Sequence, residues 1–120
     1  MKPNVLFLFS DQHNARCLSS AGHPDVRTPN LDGLARDGIR FENAYANNPI
    51  CTPSRLSYLT SLYPSTHGYY GLYGREPDSS MTTMFGHFRA HGYRTGALGK
   101  LHTPRYLIER DCQFVYDEFI

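Results

Sequence analysis

The hydrophobic pattern begins with an apolar run that polar residues follow at once. Residues 4–10 read NVLFLFS and precede Asp11 and Gln12. A continuous apolar run of this length is typical of a central strand that is covered on both faces. Residues 93–98 have a similar place before the segment 99–102, GKLH. We therefore predict two buried strands, each with polar side chains at its carboxyl end.

Apolar residues recur with helical spacing in three further stretches. Thr28 and Pro29 favour the start of the first helix, and Gly38 favours its end. The predicted helices cover residues 28–37, 53–62 and 82–91. Residues 39–46 alternate in polarity and predict a further strand, residues 63–80 predict a loop, and residues 103–120 have an ambiguous pattern.

Strands that alternate with helices predict an α/β fold with a sheet of parallel neighbours. In such sheets ligands bind beyond the carboxyl ends of the strands. Asp11, Gln12, Lys100 and His102 all follow predicted strands, and Cys51 lies in a loop that enters the second helix. We expect these polar groups to face the same edge of the sheet.

Composition excludes several classes of function. A chain of 120 residues forms one domain at most, and its net charge of +1 gives no general attraction for nucleic acid or an anionic membrane. No apolar run approaches the length of a membrane span, and VLFLF is too short for a signal-peptide core, so we expect a cytoplasmic protein. Cys17, Cys51 and Cys112 have no paired spacing, which argues against a disulfide framework or a zinc site.

The stretch 51–55, CTPSR, places a thiol at the start of the second predicted helix. Backbone N–H groups at a helix N-terminus favour anions, and Arg55 adds a positive fork one turn later. Such a position suits a nucleophilic cysteine, and it equally suits a bound sulfate or phosphate. The local pattern is also typical of a small buried cysteine beside a helix-starting proline.

Four ordered motifs extend this pattern over residues 4–102. Residues 51–61 resemble the sulfatase signature C-x-P-S-R with its downstream L-T-G, and residues 92–102 resemble the family's G-Y-x-T…G-K-x-H block. Residues 4–11 resemble its first strand and metal-binding aspartate, and residues 28–41 resemble its T-P-N-L-D-x-L-A…G…F segment. The resemblance implies that residues 1–120 are the amino-terminal portion of a sulfatase catalytic domain with an alkaline-phosphatase-like α/β/α sandwich.

The resemblance implies a hydrolase of sulfate monoesters. In the family the cysteine at this position is oxidised to Cα-formylglycine, whose hydrate attacks sulfur with one hydroxyl and expels sulfate through the other. Arg55 would stabilise and orient the hydroxylate of modified Cys51, Lys100 would contact a sulfate or leaving-group oxygen, and His102 would assist proton transfer. A divalent cation, Ca²⁺ with Mg²⁺ or Mn²⁺ as alternatives, would be held by Asp11, Gln12 and the modified cysteine.

Gln12 and Ser61 depart from the family pattern, whereas His67 follows it. Gln12 replaces the second of two consecutive aspartates, as in choline-sulfatase-like and phosphonate monoester hydrolase-like relatives, so the site would carry one negative charge fewer. Ser61 replaces the glycine of L-T-G with another small residue. His67 occupies a family-like position, as a site residue or as a structural histidine. The family's downstream metal ligands and sulfate-binding residues have no counterpart here, so we expect little or no turnover from this chain alone.

Two other functions remain open. The first is a phosphonate or phosphate ester hydrolase of the same superfamily, although Lys100 and His102 favour a sulfatase. The second is a non-catalytic fragment that binds only anions or a partner chain. The expected partners are a sulfate ester or sulfated sugar and the formylglycine-generating maturation enzyme, with neither nucleic acid nor a membrane.

Overall fold

The computed structural model describes residues 1–117, and the chain divides into two compact units. The first unit is Met1–Ala44 and the second is Tyr45–Ile120. The strands that pair with one another lie in the second unit. The single domain expected from the length of the chain stays a prediction.

The first unit contains α1 (Pro29–Asp37), which confirms the first predicted helix. Thr28 precedes it, but the Thr28 side chain makes no capping hydrogen bond to the helix backbone. Its Oγ1 instead donates to Asp32 Oδ1 (3.1 Å) and accepts from the backbone N–H of Ser19 (3.0 Å). Ser19 Oγ also donates to Asp32, so these three side chains tie the 3₁₀ turn Ser19–Ala21 to the first turn of α1.

Two of the strands predicted from the apolar pattern are wrong. Residues 4–10 and 39–46 form neither helix nor strand, and the Leu6 and Ile39 side chains are both 82% exposed. A strand is stable only when a neighbouring strand pairs with its backbone N–H and C=O groups. Within residues 1–117, the ladder that forms joins two strands of the second unit, and neither of these stretches takes part in it.

The second unit contains a small parallel sheet packed with helices. Its elements in chain order are α2 (Cys51–Thr60), α3 (Pro64–His67), α4 (Met84–Ala90), β1 (Gly96–Leu98), α5 (Arg105–Asp111) and β2 (Phe114–Tyr116). Strands β1 and β2 are parallel, with Gly96 opposite Phe114 and Leu98 opposite Tyr116. This arrangement confirms the parallel α/β sheet. The ambiguous stretch 103–120 forms α5 and β2, and its last three residues lie outside the described residues.

Helix α2 supplies the centre of the core. Leu59 packs with Ala97, Ile108 and Cys112, and Leu56, one turn earlier, packs with Tyr69 and Leu107. Both leucines of α2 are at most 2% exposed, and burying each contributes roughly 1.5–3 kcal/mol. The helix that begins at Cys51 is therefore fixed by the interior of the unit. No helix within residues 1–117 is long and apolar enough to span a membrane.

The second and third predicted helices are confirmed with shifted ends. Helix α2 begins at Cys51 rather than Pro53 and ends at Thr60, because Ser61 has a left-handed φ of 59°. Helix α4 begins at Met84, because Thr83 Oγ1 accepts a hydrogen bond from the backbone N–H of Gly86 (2.9 Å). The strand predicted for residues 93–98 is reduced to β1.

A cluster of hydrogen-bonded side chains, Thr83, Arg110 and Asp111, joins the start of α4 to the end of α5. Asp111, which is 8% exposed, accepts a hydrogen bond from Thr83 Oγ1 (2.5 Å) and pairs with Arg110 Nη2 (2.5 Å). The hydrogen bond from Arg110 lowers the pKa of Asp111 below 3.8, against the opposing effect of burial. Gly86 leaves space for this carboxylate, since a Cβ there would lie 2.8 Å from Asp111 Oδ2.

We expect Asp111→Asn to reduce the free energy of unfolding by about 1.5–3 kcal/mol, because it replaces charge-assisted hydrogen bonds at a buried site. Urea unfolding at pH 7 measures the loss. The matched control is Asp37→Asn, which removes an exposed ion pair with Arg36 and should cost less than about 1 kcal/mol. Equal losses of unfolding free energy from the two variants would show that the hydrogen-bonded cluster around Asp111 does not stabilise the fold.

Candidate active site

Cys51 is the first residue of α2 and is half-buried. The N-cap residue Ile50 has no side chain that can cap the helix, and the first turn closes through the bond from the Ser54 N–H to the Ile50 carbonyl (3.0 Å). The Thr52 Oγ1 atom is buried without a hydrogen-bond partner among the described residues. This N-terminus therefore presents backbone N–H groups next to the thiol, which is a favourable environment for an anion.

Arg55 lies one turn after Cys51 and is only 3% exposed. Its Nη1 donates a hydrogen bond of 2.7 Å to the backbone carbonyl of Lys100, 45 residues away in the sequence. The guanidinium also hydrogen-bonds Tyr58, where burial raises the pKa of the hydroxyl and Arg55 opposes that rise. A buried cation held by the Lys100 carbonyl and Tyr58 supplies a fixed positive charge beside the start of α2.

The segment after β1 carries Lys100 and His102. The Gly99 N–H donates to the Tyr116 carbonyl (2.8 Å), so this segment continues along the edge of the sheet. His102 is exposed and has a φ of 42°, a left-handed conformation that is uncommon for a residue with a side chain. The Leu101 N–H lies 3.4 Å from Asp117 Oδ1, at the carboxyl end of β2. The structure thus places Lys100 and His102 where ligands bind in parallel sheets.

Asp11 and Gln12 belong to the first unit, where both are exposed. Gln12 has a left-handed φ of 56°, so the chain turns sharply directly after the aspartate. Within residues 1–117 there is no group of three His, Cys, Asp or Glu side chains that could hold a metal ion. The assignment of Asp11, Gln12 and Cys51 as metal ligands stays a prediction.

His67 has the contacts of a structural histidine. It is 2% exposed, its Nδ1 accepts from the Tyr69 N–H (3.2 Å), and its Nε2 lies 3.0 Å from Ser57 Oγ. Since Nδ1 accepts, the proton of the neutral ring is on Nε2, which donates to Ser57. Burial lowers the pKa of His67, and the Pro53 carbonyl opposes that shift. Both Ser57 and Pro53 belong to α2, so His67 is joined to the helix that carries Cys51.

The structure therefore brings four of the predicted site residues into one connected region of the second unit, namely Cys51, Arg55, Lys100 and His102. Sequence reasoning did not identify Tyr58 or Asn48 as neighbours of this region. Tyr58 could have been found, because it lies three residues after Arg55 and shares its helix face. Asn48 could not, because its partner, the Tyr70 carbonyl (3.2 Å), lies in a loop 22 residues later.

Comparisons with known proteins agree with this geometry. A family model described as Sulfatase matches residues 3–117. The chain is 41% identical over 103 residues to an ulvan-active sulfatase of Formosa agariphila, and the match covers 84% of this chain and 20% of that protein. It is 37% identical over 105 residues to an N-acetylgalactosamine-6-O-sulfatase of Bacteroides thetaiotaomicron, with coverage of 84% and 20%.

A solved structure resembles the chain in three dimensions. It is a protein in complex with its substrate, D-glucosamine-2-N,6-O-disulfate, and it matches with a TM-score of 0.79 and 32% identity. The match covers 85% of this chain and 20% of that one, so the chain spans about a fifth of the length of the relatives it matches. The likeness confirms the alkaline-phosphatase-like α/β fold.

We expect Ser61→Gly to raise the free energy of unfolding by roughly 1 kcal/mol, because glycine adopts a left-handed φ without steric cost. Ser61→Ala is the matched control, since it removes the hydroxyl but keeps the Cβ and should give no such gain. Thermal unfolding of the two variants measures the difference. A gain of equal size in both would show that backbone conformation is not the cause.

We expect the free energy of unfolding to fall as the pH is lowered below about 6.5, because His67 binds a proton more readily in the unfolded state. Its pKa is lowered in the folded protein, so below 6.5 the unfolded state binds more protons than the folded state. The contribution is fully present above pH 6.5 and is lost as the pH falls through the lowered pKa. His67→Gln should reduce the slope between pH 7 and 5 by up to about 1.4 kcal/mol per pH unit. Urea unfolding at pH 7 and pH 5 measures the change in the free energy of unfolding for both proteins. An equal change in the wild type and in His67→Gln would show that His67 does not titrate in this way.

Proposed function

We propose that the protein containing this chain hydrolyses sulfate monoesters and that its nucleophile is at position 51. The chain belongs to the sulfatase family. The observation that carries the proposal is the placement of Cys51 at the first residue of a core helix, one turn from the buried Arg55. Conversion of Cys51 to formylglycine would supply a hydroxyl that attacks sulfur when the aldehyde is hydrated.

The surrounding residues have separate roles in this reaction. Arg55 provides the fixed positive charge that lowers the energy of an oxyanion at position 51, because its guanidinium is already desolvated and held by the Lys100 carbonyl. Lys100 would neutralise a sulfate or leaving-group oxygen with its ammonium. His102, which is exposed at the end of the same segment, would hydrogen-bond the hydrate and assist proton transfer.

The oxygen donors of Asp11 and Gln12 fit a hard divalent cation, because carboxylate and amide oxygens are the ligands that Ca²⁺ and Mg²⁺ prefer. They form only part of a ligand set, and residues 1–117 hold no cluster of three His, Cys, Asp or Glu side chains. Asp11 and Gln12 would contribute ligands to the cation. Ca²⁺ is the cation expected first, and Mg²⁺ and Mn²⁺ are the alternatives. A bound cation would polarise a sulfate oxygen.

Two of the matched proteins support a sulfated sugar as substrate. The matched structure holds D-glucosamine-2-N,6-O-disulfate as its substrate, and one of the relatives is named for N-acetylgalactosamine 6-O-sulfate. A sulfated amino sugar is thus the first choice among sulfate esters for the whole protein. The chain spans about a fifth of those relatives, so we assign it as the amino-terminal portion of the catalytic domain and expect little turnover from it alone.

We expect the protein that contains this chain, when produced with a formylglycine-generating enzyme, to have a mass about 18 Da below the encoded value, the difference between a thiol and an aldehyde at one residue. It should then release sulfate from aryl sulfates and sulfated amino sugars. Cys51→Ala should have the encoded mass and only background activity, with an unchanged thermal midpoint. Intact mass, peptide mapping and sulfate release measure these outcomes.

Cys17→Ala is the matched control for the loss of a thiol. Cys17 lies in the first unit and is half-buried like Cys51, so its variant should keep both the mass shift and the activity. Sulfatase activity in Cys51→Ala would exclude the assigned nucleophile. Faster hydrolysis of phosphonate esters than of sulfate esters would favour the other hydrolase. Absence of both the mass shift and activity would favour a protein that only binds anions or a partner.

A further inference from the structure

The start of α2 is held by contacts that do not come from a helix cap. Ile50 cannot cap with its side chain, and Cys51 and Thr52 follow it directly. A helix terminus without a cap frays unless tertiary contacts hold it. Besides the core packing of Leu56 and Leu59, such contacts come from residues 67–70, HGYY, which we call the clamp segment.

The inner contact of the clamp segment is His67. Its ring is buried and donates from Nε2 to Ser57 Oγ (3.0 Å), in the second turn of α2. The ring also interacts with the Pro53 carbonyl in the first turn. The Tyr69 N–H donates to Nδ1 (3.2 Å) and fixes the orientation of the ring. One imidazole thereby connects two successive turns of α2 on either side of Arg55.

The outer contact of the clamp segment is the Tyr70 carbonyl. It accepts a hydrogen bond from Asn48 Nδ2 (3.2 Å), and Asn48 Oδ1 accepts one from the Ile50 N–H (2.9 Å). Asn48 therefore joins the clamp segment to the residue that immediately precedes Cys51. The chain can reach both contacts because Gly68, with a left-handed φ of 82°, turns it sharply between them.

We infer that the clamp segment positions Cys51 for catalysis, with His67 and Asn48 as positioning residues that touch no substrate. It holds the helix start from its inner side through His67 and from its outer side through Asn48. A displacement of the nucleophile by about 1 Å can lower a rate by about a hundredfold, so a side chain that fixes two turns of α2 controls kcat. This inference rests on the proposed function.

The test uses the matured protein that contains this chain, with sulfate release and formylglycine content measured for each variant. His67→Leu removes both ring contacts and should lower kcat per formylglycine by at least about tenfold, with KM changed less than about twofold. His67→Gln can both donate and accept at the same place and should restore a large part of kcat. Asn48→Ala should lower kcat by a smaller factor.

Thr83→Ala is the matched control for a loss of stability. It removes a buried hydrogen bond to Asp111 at the start of α4, in a different part of the unit, and should lower the thermal midpoint without changing kcat per formylglycine. If His67→Leu loses stability like Thr83→Ala and keeps kcat, the inference is overturned. If His67→Leu gives no soluble protein, Asn48→Ala decides, and an unchanged kcat overturns the inference. An inactive wild type without formylglycine contradicts the proposed function instead.

Discussion

The hydrogen bond from Arg55 Nη1 to the Lys100 carbonyl is the contact on which the candidate site depends. A guanidinium that is 3% exposed is stable only where acceptors replace the water it has lost. Its acceptor lies just beyond β1, so the bond ties the helix that starts at Cys51 to the end of the sheet. This bond thereby couples the position of the positive charge near the thiol to the path of the Lys100 segment.

Local signals in the sequence predicted α1, α2 and α4. They missed α3, which lies in the predicted loop 63–80, and α5, which lies in the ambiguous stretch 103–120. Pro29, Gly38 and the helical spacing of apolar residues gave the existence and approximate extent of these three helices, because helix formation depends on spacing and termini that lie close in the sequence. The ends shifted at Ser61, which has a left-handed φ, and at Thr83, whose side chain caps α4. Thr83 caps α4 and also donates a hydrogen bond to Asp111 of α5. No local sequence pattern indicates this second contact. The strands predicted for residues 4–10 and 39–46 did not form, because pairing is a property of two segments.

The residues of the candidate site were identified from four family-like motifs that occur in the expected order along the chain. Hydrophobic periodicity and local chemistry alone did not identify them. CTPSR alone left a buried cysteine as a full alternative, and only the further motifs along the chain separated the readings. The contacts that hold α2 in place were beyond sequence reasoning, because they join Asn48 and His67 to partners that depend on the turn at Gly68. Ser61 was noted only as a small residue, whereas its left-handed backbone shows why glycine is the family's usual choice there.

Cys112 lies in the core beside Leu59, and burial, with the charge of Asp111 as a smaller cause, raises its pKa to about 11. At neutral pH roughly one molecule in ten thousand carries the thiolate at that position. Alkylating reagents react with thiolates, so brief treatment of the folded protein before any conversion of Cys51 will mark the half-buried Cys17 and Cys51 and spare Cys112. The interior of the second unit thus gives the chain an internal reference thiol, against which chemical change at the other two can be read by labelling.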